Sequence, residues 1–408
     1  MNKVLEIYIH IPFCKKKCSY CDFLSFPAEE EIKDRYMEVI CAELEGKSPE
    51  YKEYRIISVF IGGGTPSCVK PEWIARILKI LKACYRVEED AEITIEINPG
   101  TIDERALDIY YEAGINRLSL GLQSVRCEEL ACLGRIHSYE QFLEAYSGAR
   151  ERGFMNINVD LMSGLPGQTS EDYSKSLEKV TSLVPPPEHI SAYSLIIEEG
   201  TPFFKEYEKG RLKLPDEDTE REMYEITRKV LQKAGYEQYE ISNYAKPGYQ
   251  CRHNIGYWLR RNYLGFGIGA ASLVENVRFK NTDDLKEYIR APLYAETNRQ
   301  VLTKQEQMEE IMFLGLRLTK GVSYSKFEQT FGCNMEIVYG EVIEKHVRQG
   351  LLYVTDNCET EEETATYCPG RGLLSPGLDG REKYLRLTEK GLDVSNYVMA
   401  DFLEPSLS

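Results

Sequence analysis

Three cysteines near the amino terminus have the spacing of a metal-binding loop. Cys14, Cys18 and Cys21 form a C-x3-C-x2-C pattern directly after the first stretch that we predict to be a strand. Thiolates at these spacings can bind three irons of a [4Fe–4S] cluster, and the fourth iron then keeps the open site that a catalytic cluster needs. A zinc site is the alternative, but it needs a fourth ligand, for which only His10 and, as a weaker ligand, Asp22 stand nearby. The pattern therefore favours an iron–sulfur cluster.

Further polar residues stand at the ends of the next four predicted strands. Residues 62–66 are Gly-Gly-Gly-Thr-Pro, and glycine lets a backbone approach a ligand closely. The third strand ends with Glu96 and Asn98, the fourth with Gln123 and the fifth with Asp160. Each of these residues alone also fits a solvated loop side chain, and a glycine-rich turn is weak evidence by itself. Polar residues at successive strand ends are not expected from packing, and they predict a ligand site at one end of the sheet.

The stretches of sequence between these candidate site residues predict the strands and helices that hold the residues in place. Strands are predicted at residues 6–11, 56–61, 92–98, 117–122, 156–162 and 189–195, and helices at 71–84, 103–113, 139–152, 170–183 and 216–234. Ser138, with Gln141 three residues later, is an N-cap signal for the third of these helices. The alternation predicts a parallel α/β fold. Six such units favour a partial (β/α)6 TIM-like barrel over a doubly wound sheet, although periodicity alone does not decide between them.

The sequence pattern changes at two points in the second half of the chain. Residues 236–300 begin with a stretch rich in aromatic residues, Asn and Gly, and we predict irregular connecting structure there that covers one face of the barrel. Beyond this segment the pattern predicts helices at 304–318, 323–331 and 335–349, strands at 351–354 and 384–388, and a last helix at 391–402. This order is typical of a small winged-helix-like α+β domain. The predicted domains are residues 1–235, 236–300 and 301–408, with an acidic loop inserted at 355–383.

Charge and composition exclude several classes of protein. The chain has 408 residues and a formal net charge of −16, and residues 301–408 carry 11 Lys or Arg against 18 Asp or Glu. This is the wrong sign for neutralising phosphates, so we predict no nucleic-acid partner for the winged-helix domain. No apolar run reaches about 18 residues, which predicts no membrane span. The chain starts without an apolar signal core, so we expect a reducing, cytoplasmic compartment, in which the twelve cysteines are thiols or metal ligands.

The cysteine loop carries a family resemblance. Residues 8–23 read Y-I-H-I-P-F-C-K-K-K-C-S-Y-C-D-F, which resembles the signature of the radical S-adenosylmethionine (SAM) superfamily, and within it the oxygen-independent coproporphyrinogen III oxidase family. The resemblance implies a partial (β/α)6 barrel, a [4Fe–4S] cluster whose open iron is chelated by SAM, and an electron donor for the cluster. In this superfamily an electron from the cluster cleaves SAM to methionine and a 5′-deoxyadenosyl radical.

The same resemblance implies a set of SAM-binding residues. The positions that match the family's pattern are Tyr8, Gly63, Gly64, Thr65, Glu96, Gln123, Arg135 and Asp160, and Tyr20 is expected to lie against the adenine. A carboxylate such as Glu96 suits the ammonium group of SAM, and the Arg135 guanidinium suits its carboxylate. The match continues through residues 158–169 and covers the barrel and the C-terminal domain.

Two differences from the oxidases indicate which branch of this family the chain resembles. The oxidases carry a fourth cysteine where this chain has Phe23, and they have a longer N-terminal extension, whereas seven residues precede Tyr8 here. Residues 253–258, His-Asn-Ile-Gly-Tyr-Trp, instead match the H-N-x-x-Y-W segment of the related haem chaperones. The resemblance therefore implies a protein that binds haem and hands it to respiratory-chain haem proteins. We do not expect coproporphyrinogen decarboxylation, and the oxidase or another radical SAM enzyme of porphyrin metabolism is the alternative.

The haem ligand is predicted from the same segment. The imidazole of His253 is a natural axial ligand for haem iron, and the flanking Tyr257 and Trp258 offer faces to a porphyrin. Cys251 is an alternative thiolate ligand, and a hydrogen-bonded loop histidine is the alternative reading of His253. The sequence leaves open whether SAM is cleaved in turnover, which protein receives the haem, and whether the chain forms a homodimer.

Overall fold

The computed structural model describes residues 3–355 and 382–403. Its strands are β1 (Lys3–Ile11), β2 (Tyr54–Gly63), β3 (Arg86–Ile97), β4 (Arg117–Gln123), β5 (Ile157–Ser163), β6 (His189–Ser194), β7 (Glu237–Gln238), β8 (Asn243–Ala245), β9 (Tyr263–Phe266), β10 (Ala271–Val274), β11 (Val277–Asn281), β12 (Glu296–Val301), β13 (Val322–Ser323), β14 (Leu352–Thr355) and β15 (Tyr384–Leu387). Its helices are α1 (Glu30–Lys47), α2 (Pro71–Cys84), α3 (Glu104–Ala113), α4 (Cys127–Leu133), α5 (Tyr139–Glu151), α6 (Ser170–Thr181), α7 (Pro202–Glu208), α8 (Glu217–Lys233), α9 (Arg252–Trp258), α10 (Leu285–Arg290), α11 (Lys304–Gly315), α12 (Tyr324–Phe331), α13 (Met335–Arg348), α14 (Glu389–Asp393) and α15 (Ser395–Ala400).

The six predicted strands form one parallel array. Strands β1 to β6 are neighbours in chain order, and each pairs in parallel with the next. Their apolar side chains and those of the helices between them form the main hydrophobic core, as shown by the fully buried Ile7, Ile61, Ile95, Leu118 and Val159. The predicted partial (β/α)6 barrel is therefore confirmed. Its parallel strands bring their carboxyl ends to one edge, which is where the predicted site residues lie.

Residues 236–300 are not irregular, and that part of the prediction is wrong. Strands β8 and β7 extend the sheet beyond β6, while β9 pairs in parallel with β1 and continues through the antiparallel strands β10, β11 and β12. Strands β7 and β8 have two and three residues, and β9 and β12 show no alternation of polar and apolar residues. The alternation over residues 277–280 in β11 was a signal that the sequence analysis missed. The turn between β10 and β11 uses Glu275 and Asn276, both with positive φ, and this pair lacks the glycine that usually marks such a hairpin.

The C-terminal domain has the predicted winged-helix order. It differs from the prediction in an additional short strand, β13, and in a last helix that is divided into two. Helix α11, the short strand β13, helices α12 and α13, and strands β14 and β15 follow one another, and the strands pair in the order β13-β15-β14. The predicted last helix is two short helices, α14 and α15, because Val394 leaves the helical region at φ −121° and ψ 31°. The acidic insertion lies outside the described residues for 356–381, and the domain boundaries after residues 235 and 300 stay predictions.

Helices begin at the predicted residue where the sequence carries a strong N-cap signal. The Ser138 hydroxyl accepts a hydrogen bond from the Gln141 backbone amide, and the Gln141 side chain accepts one from the Ser138 amide, so the predicted N-cap of α5 is a full capping box. Helix α9 has no such cap, and the Glu92 carboxylate from β3 accepts hydrogen bonds from the amides of Arg252 and His253 instead. None of the helices in residues 3–355 and 382–403 is long and apolar enough to cross a bilayer.

A buried carboxylate ties α1 to the segment that follows β9. The Glu43 side chain is fully buried and accepts hydrogen bonds from the Gly267 amide at 3.0 Å, Asn281 Nδ2 at 2.8 Å and Tyr288 Oη at 2.5 Å. Lys47 Nζ lies 3.0 Å from it and is also buried. Because a charge out of water is stable only when its partners are complete, Glu43 holds this segment in place.

We expect Glu43→Ala to lower the free energy of unfolding by about 3–5 kcal/mol, because it removes the closer of the two carboxylates beside the buried Lys47 ammonium and leaves the Gly267 amide and the Tyr288 hydroxyl without this acceptor. Urea unfolding followed by circular dichroism measures the change. Glu38→Ala, on the exposed part of the same helix and paired only with Arg35, is the matched control and should change stability by less than about 1 kcal/mol. Equal effects of the two substitutions would contradict the role given to Glu43.

Candidate functional site

The three predicted cluster cysteines lie on one loop between β1 and α1. The loop is anchored where Phe13 and Phe26 form a β-bridge and the Cys14 amide donates to the Phe26 carbonyl. The Cys14 thiol is nearly buried and lies 3.5 Å from Thr65 Oγ1. Arg135 Nη1 lies 3.7 Å from the Cys18 thiol. The loop is thus in contact with two of the residues that the sequence predicts to bind SAM.

The cysteine side chains do not converge on a single ion. Among residues 3–355 and 382–403, no group of three or more His, Cys, Asp or Glu side chains is compact enough to hold one metal ion. A structural zinc site needs four ligands within about 2.0–2.3 Å of one centre, whereas a [4Fe–4S] cluster binds its thiolates at three separate corners. His10 is also engaged elsewhere, because Nε2 lies 2.9 Å from the Leu24 carbonyl and Nδ1 lies 2.9 Å from Tyr8 Oη. The residues fit the cluster better than zinc.

The glycine turn after β2 is packed too closely for any other residue. Gly63 has φ +114°, and a Cβ there would lie 2.6 Å from the His10 ring. A Cβ on Gly64 would lie 2.8 Å from the Phe13 carbonyl oxygen. The Gly63 amide donates a hydrogen bond of 3.0 Å to Glu96 Oε2. The turn therefore brings bare backbone and a carboxylate together beside the cysteine loop.

Two carboxylates from β3 and β5 share this region. Glu96 lines a cavity and is partly exposed to it, yet the surrounding protein excludes most bulk water. Burial and then the charge of Asp160 raise the pKa of Glu96 to about 7. Burial also raises the pKa of Asp160, although Asn158 Nδ2 donates a hydrogen bond of 2.7 Å to it. The charge of the buried Arg117 lowers the pKa of both carboxylates, and Arg135 lowers that of Asp160, but burial outweighs these cations, so the pair can still stabilise the ammonium group of a ligand.

Arg135 supplies the opposite charge. Its Nη2 donates to the Gly121 carbonyl at 2.6 Å, and its buried Nε has no hydrogen-bond partner among the described residues. Gln123 stands beside it at φ +72°, buried, and accepts a hydrogen bond from Tyr193 Oη. A cation with an unused buried donor can bind a ligand carboxylate. Together with Glu96, this arrangement fits the zwitterionic amino-acid part of SAM.

The two predicted tyrosines lie on different sides of the loop. Tyr8 lines the cavity, hydrogen-bonds His10 and stacks on Phe60 with ring centroids 6.4 Å apart. Tyr20 instead packs against an apolar cluster that contains Leu133 and Met162. The structure therefore groups Tyr8 with Gly63 and Glu96, and it groups Tyr20 with the β5 side of the barrel edge.

The cavity has a volume of about 430 Å³ and joins two parts of the sequence that the prediction treated separately. One wall is formed by Tyr8, Gly63 and Glu96 from the predicted SAM site. The other includes Tyr257 from the H-N-x-x-Y-W segment. The remaining lining residues are His10, Phe23, Leu24, Tyr263, Gly269, Ala270 and Ala271.

His253 lies behind this cavity and is only 1% exposed. Its Nδ1 is 2.9 Å from Ser58 Oγ, whereas its buried Nε2 has no hydrogen-bond partner among the described residues. The ring stacks on Phe60 at 5.2 Å and meets the Tyr257 ring edge-on at 4.9 Å. Burial lowers the pKa of His253 to about 3, so the ring is neutral at pH 7 and Nε2 is free to act as a ligand atom. Tyr257 lies in the cavity wall beside it.

Comparison with known proteins agrees with this geometry. The sequence matches the radical SAM superfamily over residues 8–180 and the HemN C-terminal domain over residues 302–358. It is 35% identical over 404 residues to a protein of Lactococcus lactis named heme chaperone HemW, covering 99% of this chain and 98% of that protein. A Bacillus subtilis protein of the same name is 36% identical, covering 90% and 96%. The chain belongs to the HemW family of radical SAM proteins.

The HemW family assignment fits the fold as well as the sequence. A solved structure of coproporphyrinogen III oxidase (HemN) from Escherichia coli, described as a radical SAM enzyme, superimposes with a TM-score of 0.80, covering 98% of this chain and 90% of that one. The two sequences are 22% identical, so this likeness establishes the fold alone. A zebrafish protein named radical S-adenosyl methionine domain-containing protein 1, mitochondrial, is 33% identical and covers 82% of this chain.

Several cavity residues were missed by the sequence analysis. Leu24, Tyr263 and the stretch 269–271 line the cavity but were not predicted as site residues. Leu24 stands beside the last cysteine, and residues 265–271 read Gly-Phe-Gly-Ile-Gly-Ala-Ala. A Cβ on Gly269 would lie 2.7 Å from Leu24, so this run of small residues was the available signal for a close approach.

SAM affinity should depend on pH through Glu96. We predict that the ammonium of SAM pairs with the ionised carboxylate of Glu96, and the pKa of Glu96 near 7 means that this ionised form is lost as the pH falls below 7. We expect the association constant to fall by about 15-fold between pH 7 and 5.5, and to rise by no more than about twofold between pH 7 and the deprotonation of the SAM amine near pH 8. Anaerobic titration calorimetry on the cluster-loaded protein measures this dependence.

Glu96→Gln should bind SAM weakly and without this pH dependence. Glu104→Gln, at an exposed position on α3, is the matched control and should behave like the unmodified protein. A wild-type affinity that stays constant from pH 5.5 to 7.5 would contradict the pairing of Glu96 with the ammonium.

Proposed function

We propose that this chain is a haem chaperone that holds a [4Fe–4S] cluster and SAM and passes haem to haem proteins. The observation that carries the proposal is the single cavity shared by Glu96, on the predicted SAM side, and Tyr257 of the H-N-x-x-Y-W segment. The near full-length likeness to proteins named heme chaperone HemW supports it.

The cluster and SAM have defined places in this proposal. Cys14, Cys18 and Cys21 hold the cluster, which when bound supplies a redox-active iron with a free coordination site. The Gly63–Gly64 backbone and Glu96 hold the ammonium of SAM, and Arg135 binds its carboxylate. Gln123 and Asp160 form the other side of this SAM site. The Thr65 hydroxyl donates a hydrogen bond to the Cys14 sulfur.

Haem reaches His253 through the cavity. The Nε2 atom of His253, which has no hydrogen-bond partner among the described residues, would hold the haem iron. Cys251 is the weaker alternative, because burial raises the pKa of its thiol to about 12 and a protonated thiol is a poor ligand. The aromatic rings of Tyr257 and Tyr263, which line the cavity, would pack against the porphyrin.

The partners follow from this role. Haem is the cargo, respiratory-chain haem proteins are the recipients, and an electron donor serves the cluster. We place this exchange in the cytoplasm and include a homodimer as the assembly to test. Nucleic acid has no part in it, since the C-terminal domain is acidic.

A second candidate, coproporphyrinogen oxidation, is favoured only by the fold likeness to the E. coli oxidase. Phe23 stands at the position of the oxidases' fourth cysteine, and a phenyl ring cannot replace a thiolate. Anaerobic incubation with coproporphyrinogen III, SAM and a reductant separates the two functions. We expect no protoporphyrinogen, and its formation would replace the chaperone proposal by the oxidase.

Equilibrium titration with haem tests the proposal itself. The cluster-loaded protein, kept anaerobic, is titrated with haem while the Soret band is recorded against a protein-free blank. A saturable Soret shift is expected. A difference spectrum that rises linearly without saturation would mean unspecific haem uptake and would reject the chaperone function.

A further inference from the structure

The cysteine loop carries three lysines that form no ion pair with the acidic side chains of residues 3–355 and 382–403. Lys15, Lys16 and Lys17 stand between the first two cluster cysteines and are exposed. Lys15 Nζ donates to the Gly100 carbonyl and Lys17 Nζ to the Phe23 carbonyl, while Lys16 has no partner among residues 3–355 and 382–403. None of the three forms an ion pair within those residues. In a chain of net charge −16, this loop is a local positive surface.

An exposed aromatic side chain adjoins these cations. Phe23 is 63% exposed and lines the cavity that contains Glu96 and Tyr257. Its carbonyl accepts the Lys17 hydrogen bond at 2.8 Å, so the cation and the phenyl ring belong to one rim. Other apolar side chains of this protein are as exposed, but Phe23 also lines the cavity, so its ring is placed to contact a ligand that enters there.

We propose that Phe23, Lys16 and Lys17 form a binding site for the porphyrin of haem at the entrance of the cavity, with the phenyl ring against the macrocycle and the two ammonium groups on its propionates. This inference rests on the proposed haem function and names residues outside the H-N-x-x-Y-W segment. We call these three residues the entrance site.

The chemistry of haem matches the entrance site on two counts. The macrocycle is flat and apolar and packs well on an aromatic face. Its two propionates carry negative charge that the protein as a whole repels, so capture needs a local group of cations. The acidic side chains close to this rim are Asp22, exposed beside Phe23, Asp283, which pairs with Lys280 at 2.7 Å, and Glu96, which lines the same cavity and is assigned to the ammonium of SAM. The ammonium groups of Lys16 and Lys17 form no ion pair among the described residues and can therefore meet the propionates.

An acidic electron-carrier protein is the other partner that such cations could attract. The lysines lie next to the cluster, where an electron must enter. However, the Lys17 hydrogen bond to a cavity-lining residue places the charge at the mouth of a small-molecule cavity, and a protein surface would not require Phe23. The porphyrin is thus the better match, and the carrier becomes an outcome of the test.

The first arm of the experiment uses the unmodified, cluster-loaded protein. Haem and its dimethyl ester, in which the propionates are uncharged, are titrated in parallel at low and high salt. We expect the diacid to bind about tenfold more tightly at low salt, and the difference to shrink as salt screens the lysines. Equal affinities for diacid and diester would overturn the entrance site while leaving the chaperone function intact.

The second arm uses variants with matched controls. Lys16→Glu/Lys17→Glu should weaken haem binding about 5- to 20-fold and leave diester binding unchanged. Phe23→Ala should weaken both ligands about tenfold. Lys52→Glu/Lys79→Glu, at exposed lysines outside the cavity, and Tyr294→Ala, at an exposed aromatic residue that does not line it, should bind haem like the unmodified protein. Iron content is counted for every variant, since a lost cluster would otherwise imitate an effect on haem.

The outcomes separate the inference from the function on which it rests. If the unmodified protein binds no haem, both are rejected. If it binds haem and the entrance variants match their controls, only the entrance site is wrong. If the lysine variants keep haem affinity but slow reduction of the cluster by an acidic [2Fe–2S] ferredoxin, the loop serves a protein carrier and the inference is overturned.

Discussion

The triple variant Cys14→Ser/Cys18→Ser/Cys21→Ser should lose its iron–sulfur cluster completely. A serine hydroxyl is not ionised at neutral pH and is a hard ligand, so it cannot replace a thiolate on iron. After anaerobic reconstitution we expect iron to fall from about four atoms per chain to near zero. SAM affinity should fall with it, because the open iron no longer contributes to binding. Iron counting and the visible absorption of the cluster measure the first effect, and calorimetry measures the second.

A second triple variant shows whether the loss is specific. Cys127 and Cys132 are exposed and Cys333 is half-buried, and all three lie outside the loop. Replacing them by serine should leave iron content unchanged. Unchanged iron in the loop variant would reject the cluster assignment, and iron lost equally from both variants would mean that the metal is bound unspecifically.

The second large effect is expected at His253. Because removal of a supporting residue already costs about 10- to 100-fold in metal affinity, loss of the axial ligand should weaken haem binding by at least about 100-fold. His253→Ala also leaves a space beside Phe60 and Tyr257, which free imidazole can enter. We therefore expect added imidazole to restore haem binding and the Soret position in this variant. A purely structural role for the ring would give no such rescue.

His346→Ala is the matched control for this experiment. His346 is also buried, hydrogen-bonds Asp401 and has a ring nitrogen without a partner among the described residues. It lies in the C-terminal domain, away from the cavity. Its replacement should change stability but not haem affinity. If the two histidine variants bound haem equally well, the ligand would have to be sought elsewhere.

The barrel was predictable because its strands and helices are long and regular. Residues 92–97 and 156–161 alternate between polar and apolar side chains, and the helices between them begin at clear caps such as Ser138. Strands β7 to β10 and β12 could not be predicted, because they are very short or show no alternation of polar and apolar residues, and their pairing depends on the edges that β1 and β6 present.

The positions of the candidate site residues were predictable from the sequence, but the cavity walls were not. The cysteine spacing places Cys14, Cys18 and Cys21 on one loop and the strand ends place Glu96 and Asp160 at one edge of the barrel, while the roles of these residues stay predictions. The burial of His253 was not visible in the sequence, since it results from the stacking of Phe60 and from Tyr257 in the cavity wall. Likewise, Tyr263 and residues 269–271 reach the cavity only through the pairing of β9 with β1.

Transfer of haem to a recipient tests the chaperone function most directly. The haem-loaded protein, with cluster and SAM bound, is mixed with the apo form of a respiratory b-type haem protein, and formation of the holo-protein is followed by its absorption spectrum. We predict that transfer is faster than the spontaneous loss of haem to an excess of a haem scavenger, and that its rate rises with recipient concentration. A transfer rate equal to spontaneous loss, and independent of the recipient, would contradict the account.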